Sequence, residues 1–417
     1  MISFINKNWR VLSSAMLLAI FFVFGQVGAM DKMDKMGKDK ELMASISRDR
    51  TIKIWDISDI NKDTKNEKPL KSESEISCQT FINLKPTSCF SVASFSPFDR
   101  NILVTASTDN IVRAWDISDI KNPKFIADLL DNLNNNDRIY SLLFSPFDKR
   151  IIALGSKNNY KFLDIFDMEK TKCIVNNINS EFSVVAFDPF NPKRFFVGST
   201  VPVEGSRGEV RVLDISKIQK IKNESVIKLD GIVSVLECSP FYKNMFLVAG
   251  GKLLRLFDIS DIKKPKVAAR IERLNIITSA SFSPIDKDRL ILVAGGRAEI
   301  YDISDVKKPK MLKFLRISIR GHNSFIYGAF SPYDKDTIFL GLDNGEIKVF
   351  DISNIQEPRL IAILEGHSDR IGAIVFLPKI KKEEKFRERL LESTKLNLKE
   401  LAVKKPSAPD VRIHTVD

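Results

Sequence analysis

An aspartate that follows a large apolar residue recurs seven times along the chain, at intervals of 44 to 60 residues. Most of these aspartates begin the tract Asp-Ile-Ser-(Asp/Asn)-Ile, and a proline often follows. Upstream of six of them an apolar run ends in Ser-Pro or Asp-Pro, and a degenerate copy closes the set at Leu377-Pro378. A repeat of this length indicates a propeller or a solenoid. The seven pairs are Trp55-Asp56, Trp115-Asp116, Leu163-Asp164, Leu213-Asp214, Phe257-Asp258, Tyr301-Asp302 and Phe350-Asp351.

One repeat unit, residues 276–310, contains the signals of a four-stranded antiparallel sheet. Its apolar first strand ends at Ser283-Pro284, because proline cannot donate a ladder hydrogen bond and belongs at a strand end. Gly295-Gly296 is a tight hairpin signal between the second and third strands, and a fourth strand follows Pro309. Four short strands with turn residues at every joint are typical of one propeller blade.

Counting these units predicts an all-β fold, a seven-bladed β-propeller over residues 42–378. The chain enters at the second strand of a blade, near Leu42, and the first strand of that blade lies at the C-terminal end of the ring. Sharing a blade in this way closes the ring and removes its open edges. The first strands are predicted near 90–96, 139–145, 182–188, 232–239, 276–283, 325–331 and 371–377.

Two segments, 47–56 and 107–116, resemble the second-to-third strand signature of the WD-repeat β-propeller family. Gly321-His322 and Gly366-His367 resemble the Gly-His that begins repeats in that family. The Asp-Ile-Ser tracts with their proline are also similar to those of LVIVD-repeat propellers. The resemblance implies a rigid scaffold for protein or peptide partners. Those partners usually bind the face that carries the fourth-to-first and second-to-third strand loops.

The resemblance also implies a hydrogen-bonded tetrad at the ring closure. In WD-repeat blades the tetrad joins a histidine after glycine, a serine on the second strand, an aspartate in the next turn and a tryptophan on the third strand. One complete set is found in this sequence, His367 with Ser47, Asp49 and Trp55. His367 lies more than 300 positions from the other three members, so the tetrad is expected to join the two ends of the ring.

The first 29 residues differ from the rest of the chain. Lys7 and Arg10 precede an apolar stretch over 11–27, and Val27-Gly28-Ala29 supplies small residues at a cleavage position. This pattern predicts a signal peptide and export to a periplasm or the cell exterior. An uncleaved membrane anchor is the main alternative, because the apolar run approaches the length of a membrane span. Residues 30–41 are predicted to be a solvated linker.

No catalytic or metal-binding constellation emerges from the sequence. The three histidines are two Gly-His members and His414 in the tail, and the four cysteines lack metal-site spacing. Free thiols are expected, because Cys78 falls in a predicted outer strand and Cys89 at the start of a predicted innermost strand, farther apart than a disulfide allows. The net charge of +12 comes mostly from scattered lysines, which does not indicate nucleic-acid binding. We therefore predict a protein that is not an enzyme and needs no cofactor or metal.

Glu237 is the one acid within a predicted innermost strand. It is predicted to line the central channel, either as a solvated or partnered carboxylate or as a ligand for a cation. A channel-based hydrolase or lyase is therefore the alternative function. A cytosolic scaffold with an uncleaved N terminus is another, favoured by the unpaired cysteines.

Two loops on the expected partner face, 131–137 and 200–208, are longer than their counterparts and fall in neighbouring blades. Extended loops on a rigid scaffold often carry binding, although a tolerated insertion is an equal alternative. Residues 379–417 are predicted to form an amphipathic helix followed by a disordered tail. The candidate partner-binding residues are Arg138, Glu204, Arg207, Arg48 and Arg370.

Overall fold

The computed structural model describes residues 40–60, 80–83, 90–107, 110–130, 139–156, 159–178, 182–199, 208–316 and 324–378. The predicted signal peptide, nearly all of the predicted linker and the predicted C-terminal helix lie outside these residues. Within them, no helix has both the length and the apolar character needed to cross a membrane.

The described residues contain 28 strands in seven antiparallel sheets of four strands each, which confirms the predicted seven-bladed propeller. Blade one starts with β1 (Leu42–Ser47), β2 (Thr51–Asp56) and β3 (Thr80–Asn83). Blade two is β4 (Phe90–Phe95), β5 (Ile102–Ser107), β6 (Val112–Asp116) and β7 (Lys124–Leu130). Blade three is β8 (Ile139–Phe144), β9 (Ile151–Ser156), β10 (Asn159–Asp164) and β11 (Lys172–Ile178). Blade four is β12 (Phe182–Phe187), β13 (Arg194–Ser199), β14 (Gly208–Asp214) and β15 (Lys222–Leu229).

The remaining blades follow the same plan. Blade five is β16 (Val235–Cys238), β17 (Met245–Gly250), β18 (Leu253–Asp258) and β19 (Lys266–Glu272). Blade six is β20 (Ile277–Phe282), β21 (Arg289–Ala294), β22 (Arg297–Asp302) and β23 (Lys310–Arg316). Blade seven is β24 (Phe325–Phe330), β25 (Thr337–Leu342), β26 (Ile347–Asp351) and β27 (Arg359–Leu364), and β28 (Ile371–Phe376) completes blade one. Two 3-10 turns, Met168–Lys170 and Ile218–Lys220, precede β11 and β15.

The ring closes where β28 pairs with β1 in antiparallel register, with Met43 opposite Phe376. The Tyr333 hydroxyl, from the first turn of blade seven, donates to the carbonyl oxygens of Leu42 at 3.2 Å and Leu377 at 2.5 Å. Both ends of the ring are therefore tied to the neighbouring blade at the same edge.

The repeated tracts form turns that continue the ladder of each blade. In blade six, the carboxylate of Asp302 accepts the N–H of Ser304 at 2.8 Å, and the N–H of Ile303 donates to the carbonyl of Asp288 at 2.8 Å. The Ile303 side chain is fully buried. The tract recurs because its positions have distinct roles, namely a cap for the turn, an apolar anchor and a return to the next strand.

Hydrophobic clusters fill the spaces between neighbouring blades. One cluster joins Val104 and Val112 of blade two to Ile152 and Leu154 of blade three, and equivalent clusters lie between other pairs. A four-stranded sheet with two apolar faces is stabilised only by such neighbours. We use "top face" for the second-to-third strand turns with the crossovers between blades, and "bottom face" for the other two sets of turns.

Candidate functional site

Four side chains on the top of blade one form a continuous hydrogen-bond network across the ring closure. The Trp55 indole N–H donates to the Ser45 hydroxyl at 2.8 Å, and that hydroxyl lies 2.8 Å from Nε2 of His367. The other imidazole nitrogen, Nδ1, lies 2.8 Å from Oδ2 of Asp49. The network joins β1 and β2 to the crossover that leads into β28, so it links residues from both ends of the chain.

The serine in this network is Ser45, and the expected role of Ser47 was wrong. Both serines lie on the same face of β1 because side chains alternate along a strand. Trp55 stands opposite Met43 in the ladder, so its indole reaches the next residue on that face, Ser45, and not the one after it. Ser47 instead donates to the carbonyl of Asp369 at 2.8 Å.

Blade two shows the same offset without a histidine. Its tryptophan, Trp115, donates to the Thr105 hydroxyl at 2.9 Å, while Ser107 accepts from the guanidinium of Arg113 at 3.0 Å. Thr105 precedes Trp115 by ten residues, as Ser45 precedes Trp55. The hydroxyl that accepts from the tryptophan is therefore found ten positions before it, and not eight positions before it, where Ser47 and Ser107 lie.

Asp49 is the most heavily bonded carboxylate of the closure. Besides His367, it accepts hydrogen bonds from Thr51 and from the N–H of Ser368 at 2.9 Å. Burial by itself would raise the pKa of Asp49. The hydrogen bonds from His367 and Thr51, with the charge of His367, instead lower that pKa well below its ordinary value. The ionised carboxylate is thus the form that fits the closure.

Blades five and six replace this network by ion pairs to the crossover. In blade six, the carboxylate of Glu299 accepts from Nε of Arg273 at 2.6 Å and from the Tyr301 hydroxyl at 2.7 Å. In blade five, Arg255 contacts Asp230. Arg255 and Glu299 occupy the same position, two residues before the third-strand aromatic. The crossover is thus bound to the third strand in all three blades, by neutral and charged hydrogen bonds in blade one and by arginine–carboxylate ion pairs in blades five and six.

The candidate partner-binding residues lie only partly within the described chain. Arg48 and Arg370 are exposed on the top face, and the N–H of Arg48 donates to the carbonyl of Arg370 at 3.1 Å. The structure therefore brings these two together beside the closure network. Arg138, Glu204 and Arg207, with the loops 131–137 and 200–208, lie outside the described residues.

Among the described residues, three exposed large apolar side chains on the top face are not identified by the sequence pattern. Leu274 is 89% exposed, Ile276 is 64% exposed and Ile232 is 40% exposed. The pattern places Ile232 and Ile276 in the first strands of blades five and six. In the structure those strands begin later, at Val235 and Ile277, so both isoleucines lie in crossovers. We call Ile232, Leu274 and Ile276 the top apolar cluster.

The backbone beneath this cluster is firmly held. The N–H of Arg273 donates to the carbonyl of Lys252 at 2.8 Å, and the N–H of Ile277 donates to the carbonyl of Gly251 at 2.7 Å. Gly251 has a φ of +58°, which favours glycine, and a Cβ on Gly250 would lie 1.7 Å from the Ile232 carbonyl oxygen. One tight glycine turn thus positions both crossovers that carry the cluster.

Glu237 lies on the innermost strand of blade five, β16, and retains partial exposure. Burial raises the pKa of Glu237 to about 8, and a hydrogen bond from the backbone of Phe282 opposes that rise only in part. Burial, with a contribution from the charge of Glu237, raises the pKa of Tyr327 to about 12. Since Tyr327 belongs to blade seven, the charge of Glu237 acts on a residue of a blade that is not adjacent to its own. This agrees with a carboxylate that faces the ring axis.

The free cysteines among the described residues are Cys173, which is exposed, and Cys238, which is partly buried. Burial raises the pKa of the Cys238 thiol well above its ordinary value, so the neutral thiol is favoured. Cys78 and Cys89 lie outside the described residues.

Comparisons with known proteins agree with this geometry. The model of the family "WD domain, G-beta repeat" matches residues 78–116. This match and the seven four-stranded blades support the resemblance to WD-repeat β-propellers. The propeller is similar, at 25% identity over 114 residues, to "Histone acetyltransferase type B subunit 2" of Candida glabrata. That match covers 27% of this chain and 22% of the relative, so the chain matches about a fifth of the relative's length.

Solved structures show the same fold at low identity. The C-terminal WD40 domain of Sif2 superimposes with a TM-score of 0.54 at 16% identity, covering 79% of this propeller and 84% of that chain. A functionally unknown protein from Desulfotomaculum acetoxidans gives a TM-score of 0.60 at 14% identity, and the match covers 82% of this chain and 100% of that chain. At these identities the likeness concerns the fold alone.

Proposed function

We propose that this WD-repeat propeller is a non-enzymatic scaffold that binds a protein or peptide partner on its top face. The observation that carries the proposal is the top apolar cluster. Leu274 and Ile276 are largely exposed although their crossover is hydrogen-bonded to the glycine turn of blade five. A rigidly held, exposed apolar group loses little entropy on binding and is typical of an interface anchor.

The charged groups around the cluster suit the rim of such an interface. Arg273 and Arg255 lie beside it in ion pairs with Glu299 and Asp230. Arg48 and Arg370 extend the basic character of the same face toward blade one. An apolar centre with a polar rim is the usual anatomy of a protein–protein interface. A partner with an apolar segment flanked by acidic residues would match this arrangement.

The test is a crosslinking pull-down from the native compartment with two separate variants. Leu274→Asp/Ile276→Asp is expected to lose the captured partner, and replacing Thr200 to Gly208 by a Gly-Gly hairpin tests the extended loop separately. The control is Val226→Asp/Val267→Asp, since these exposed valines lie on the outer strands of blades four and five. Retained capture by the top-face variant, or equal loss in the control, would contradict the proposal.

We also propose that the protein is exported, with cleavage after Ala29. The charged start, the apolar core and Val27-Gly28-Ala29 support this. Intact-mass measurement of the native protein is expected to give Met30 as the first residue. A full-length mass in the soluble cytosol would contradict export, and a full-length mass in the membrane fraction would favour the anchor.

A further inference from the structure

The bottom face of blades three to six presents an apolar side chain at each first-to-second strand turn. Each turn is fixed by a buried capping side chain: Ser239, for example, accepts the N–H groups of Phe241 at 3.3 Å and Tyr242 at 2.9 Å. The residue after the proline is thereby turned outward. The exposed apolar residues of this face are Phe147 (36%), Phe166 (76%), Phe190 (41%), Phe241 (40%) and Ile285 (39%).

The first-to-second strand turns of blades four, five and six are joined to each other. The guanidinium of Arg194 donates to the side-chain oxygen of Asn244 at 3.0 Å, which links blades four and five. The Tyr242 hydroxyl donates to the carboxylate of Asp288 at 2.8 Å, which links blades five and six. The apolar residues are therefore held at fixed positions along an arc.

The same arc carries an excess of positive charge. The bottom turns of blades three to six contain 18 lysines and arginines and 12 aspartates and glutamates. The described bottom turns of blades seven, one and two contain 5 lysines and arginines and 9 aspartates and glutamates. Among the described turns, the positive excess therefore lies in the part of the face that carries the apolar residues. The turns counted for blades three to six are 145–151, 164–172, 188–194, 214–222, 239–245, 258–266, 283–289 and 302–310.

We propose that this arc, which we call the basic crescent, rests on the surface of a membrane that contains anionic phospholipid. Lysines attract anionic headgroups over roughly a Debye length, and aromatic rings insert shallowly between headgroups. Either signal alone gives weak binding, and the two together give stable association. A fluid, flat bilayer can contact apolar groups that are only about 40% exposed and spaced one to a blade, because it does not need a matching pocket.

The two strand ends that meet at the ring closure also lie at the bottom face. β1 begins at Leu42 and β28 ends before Leu377, and both positions accept hydrogen bonds from Tyr333 in a bottom turn. The chain therefore enters the ring at the bottom face.

The test uses tryptophan as a depth probe in the full chain, with whichever N terminus it carries in its host. Phe241→Trp places the probe in the crescent, and Phe314→Trp places it on the outer strand β23, where Phe314 is 47% exposed. Both are bound to vesicles of brominated phosphatidylcholine with or without phosphatidylserine. The quenching added by the new tryptophan is taken relative to the wild-type signal.

With phosphatidylserine in the vesicles, we expect the added quenching at position 241 to be at least about twofold larger than at position 314. This difference is expected to be absent without phosphatidylserine and to be lost at high salt. The variant Lys263→Gln/Lys264→Gln/Lys307→Gln/Lys308→Gln is expected to lower the crescent's contact with phosphatidylserine vesicles at least about tenfold.

Equal thermal midpoints for all variants verify folding. Equal quenching at the two positions, or no dependence on phosphatidylserine, would overturn the proposal. Binding of polyglutamate at the crescent without added quenching would assign the face to an acidic polypeptide instead.

Discussion

The carboxylates of Asp49 and Glu237 are both withdrawn from bulk water, but their pKa values move in opposite directions. Burial raises the pKa of each. At Asp49, on the top rim of blade one, hydrogen bonds from His367, Thr51 and the Ser368 N–H outweigh burial and lower the pKa. At Glu237, on the first strand of blade five, burial dominates over one backbone hydrogen bond and raises the pKa to about 8.

The two sites differ in the number of donors around the buried carboxylate, and this decides which buried charge stabilises the ring. The closure at blade one has no covalent hairpin between its first and second strands, and there the ionised Asp49 is surrounded by donors. The wall of blade five is covalently continuous and its carboxylate has few donors. A buried charge stabilises a fold when donors replace its lost water, and destabilises it otherwise. The comparison therefore predicts changes of opposite sign when the two carboxylates are altered.

The largest effect is expected for His367→Ala. The imidazole bridges Ser45 and Asp49, and its loss leaves both with fewer partners in a site where its own side chain is fully buried. We expect the free energy of unfolding to fall by about 2–3 kcal/mol. His322→Ala, outside the described residues, is expected to cost at least about 1 kcal/mol less. Urea denaturation of both variants measures this, and equal midpoints would show that the closure network has no special role.

Ser45→Ala is expected to cost about 1–2 kcal/mol, because it leaves the buried indole N–H of Trp55 and one imidazole nitrogen without their partner. Ser47→Ala removes a bond to the carbonyl of Asp369 at the edge of the site and is expected to cost less. The pair of variants, compared by thermal unfolding, distinguishes the two serines. A larger loss for Ser47→Ala would mean that the Ser45 network contributes little.

Asp49→Asn tests the sign of the closure carboxylate. The folded pKa of Asp49 lies below its unfolded value of about 3.9, so its contribution is present above that pH and is lost as pH falls below it. We expect the wild type to exceed Asp49→Asn by about 1 kcal/mol at about pH 6, and the difference to shrink toward about pH 2. A difference that stays constant over that range would contradict the lowered pKa.

The sequence predicted the ring, its closure and the approach of His367 to Asp49, because each depends on a repeated pattern or on a motif with fixed geometry. It could not choose between Ser45 and Ser47, since both share a face of β1 and only the register opposite Trp55 separates them. It also placed Ile232 and Ile276 in the first strands of their blades. An apolar residue beside an apolar strand fits the strand pattern whether it belongs to the strand or to the crossover before it. Their exposure depends on where the crossover is hydrogen-bonded, which is a tertiary property.

Glu237→Gln is expected to give the smallest change in the free energy of unfolding. The variant is expected to stabilise the ring, whereas the closure variants destabilise it. The folded pKa of about 8 lies above the unfolded value of about 4.3, so folding favours the protonated form and the ionised form is penalised. The penalty is absent below the unfolded pKa, grows as pH rises between the two values and is complete above the folded pKa. We expect Glu237→Gln to stabilise the ring by about 1 kcal/mol at about pH 9 and by almost nothing at about pH 4, since the partial exposure of Glu237 limits the cost of ionisation. Thermal unfolding across this range measures the effect. A Glu237→Gln variant that is less stable than the wild type at the alkaline end would mean that the ionised carboxylate has a stabilising partner in the channel, such as a bound cation.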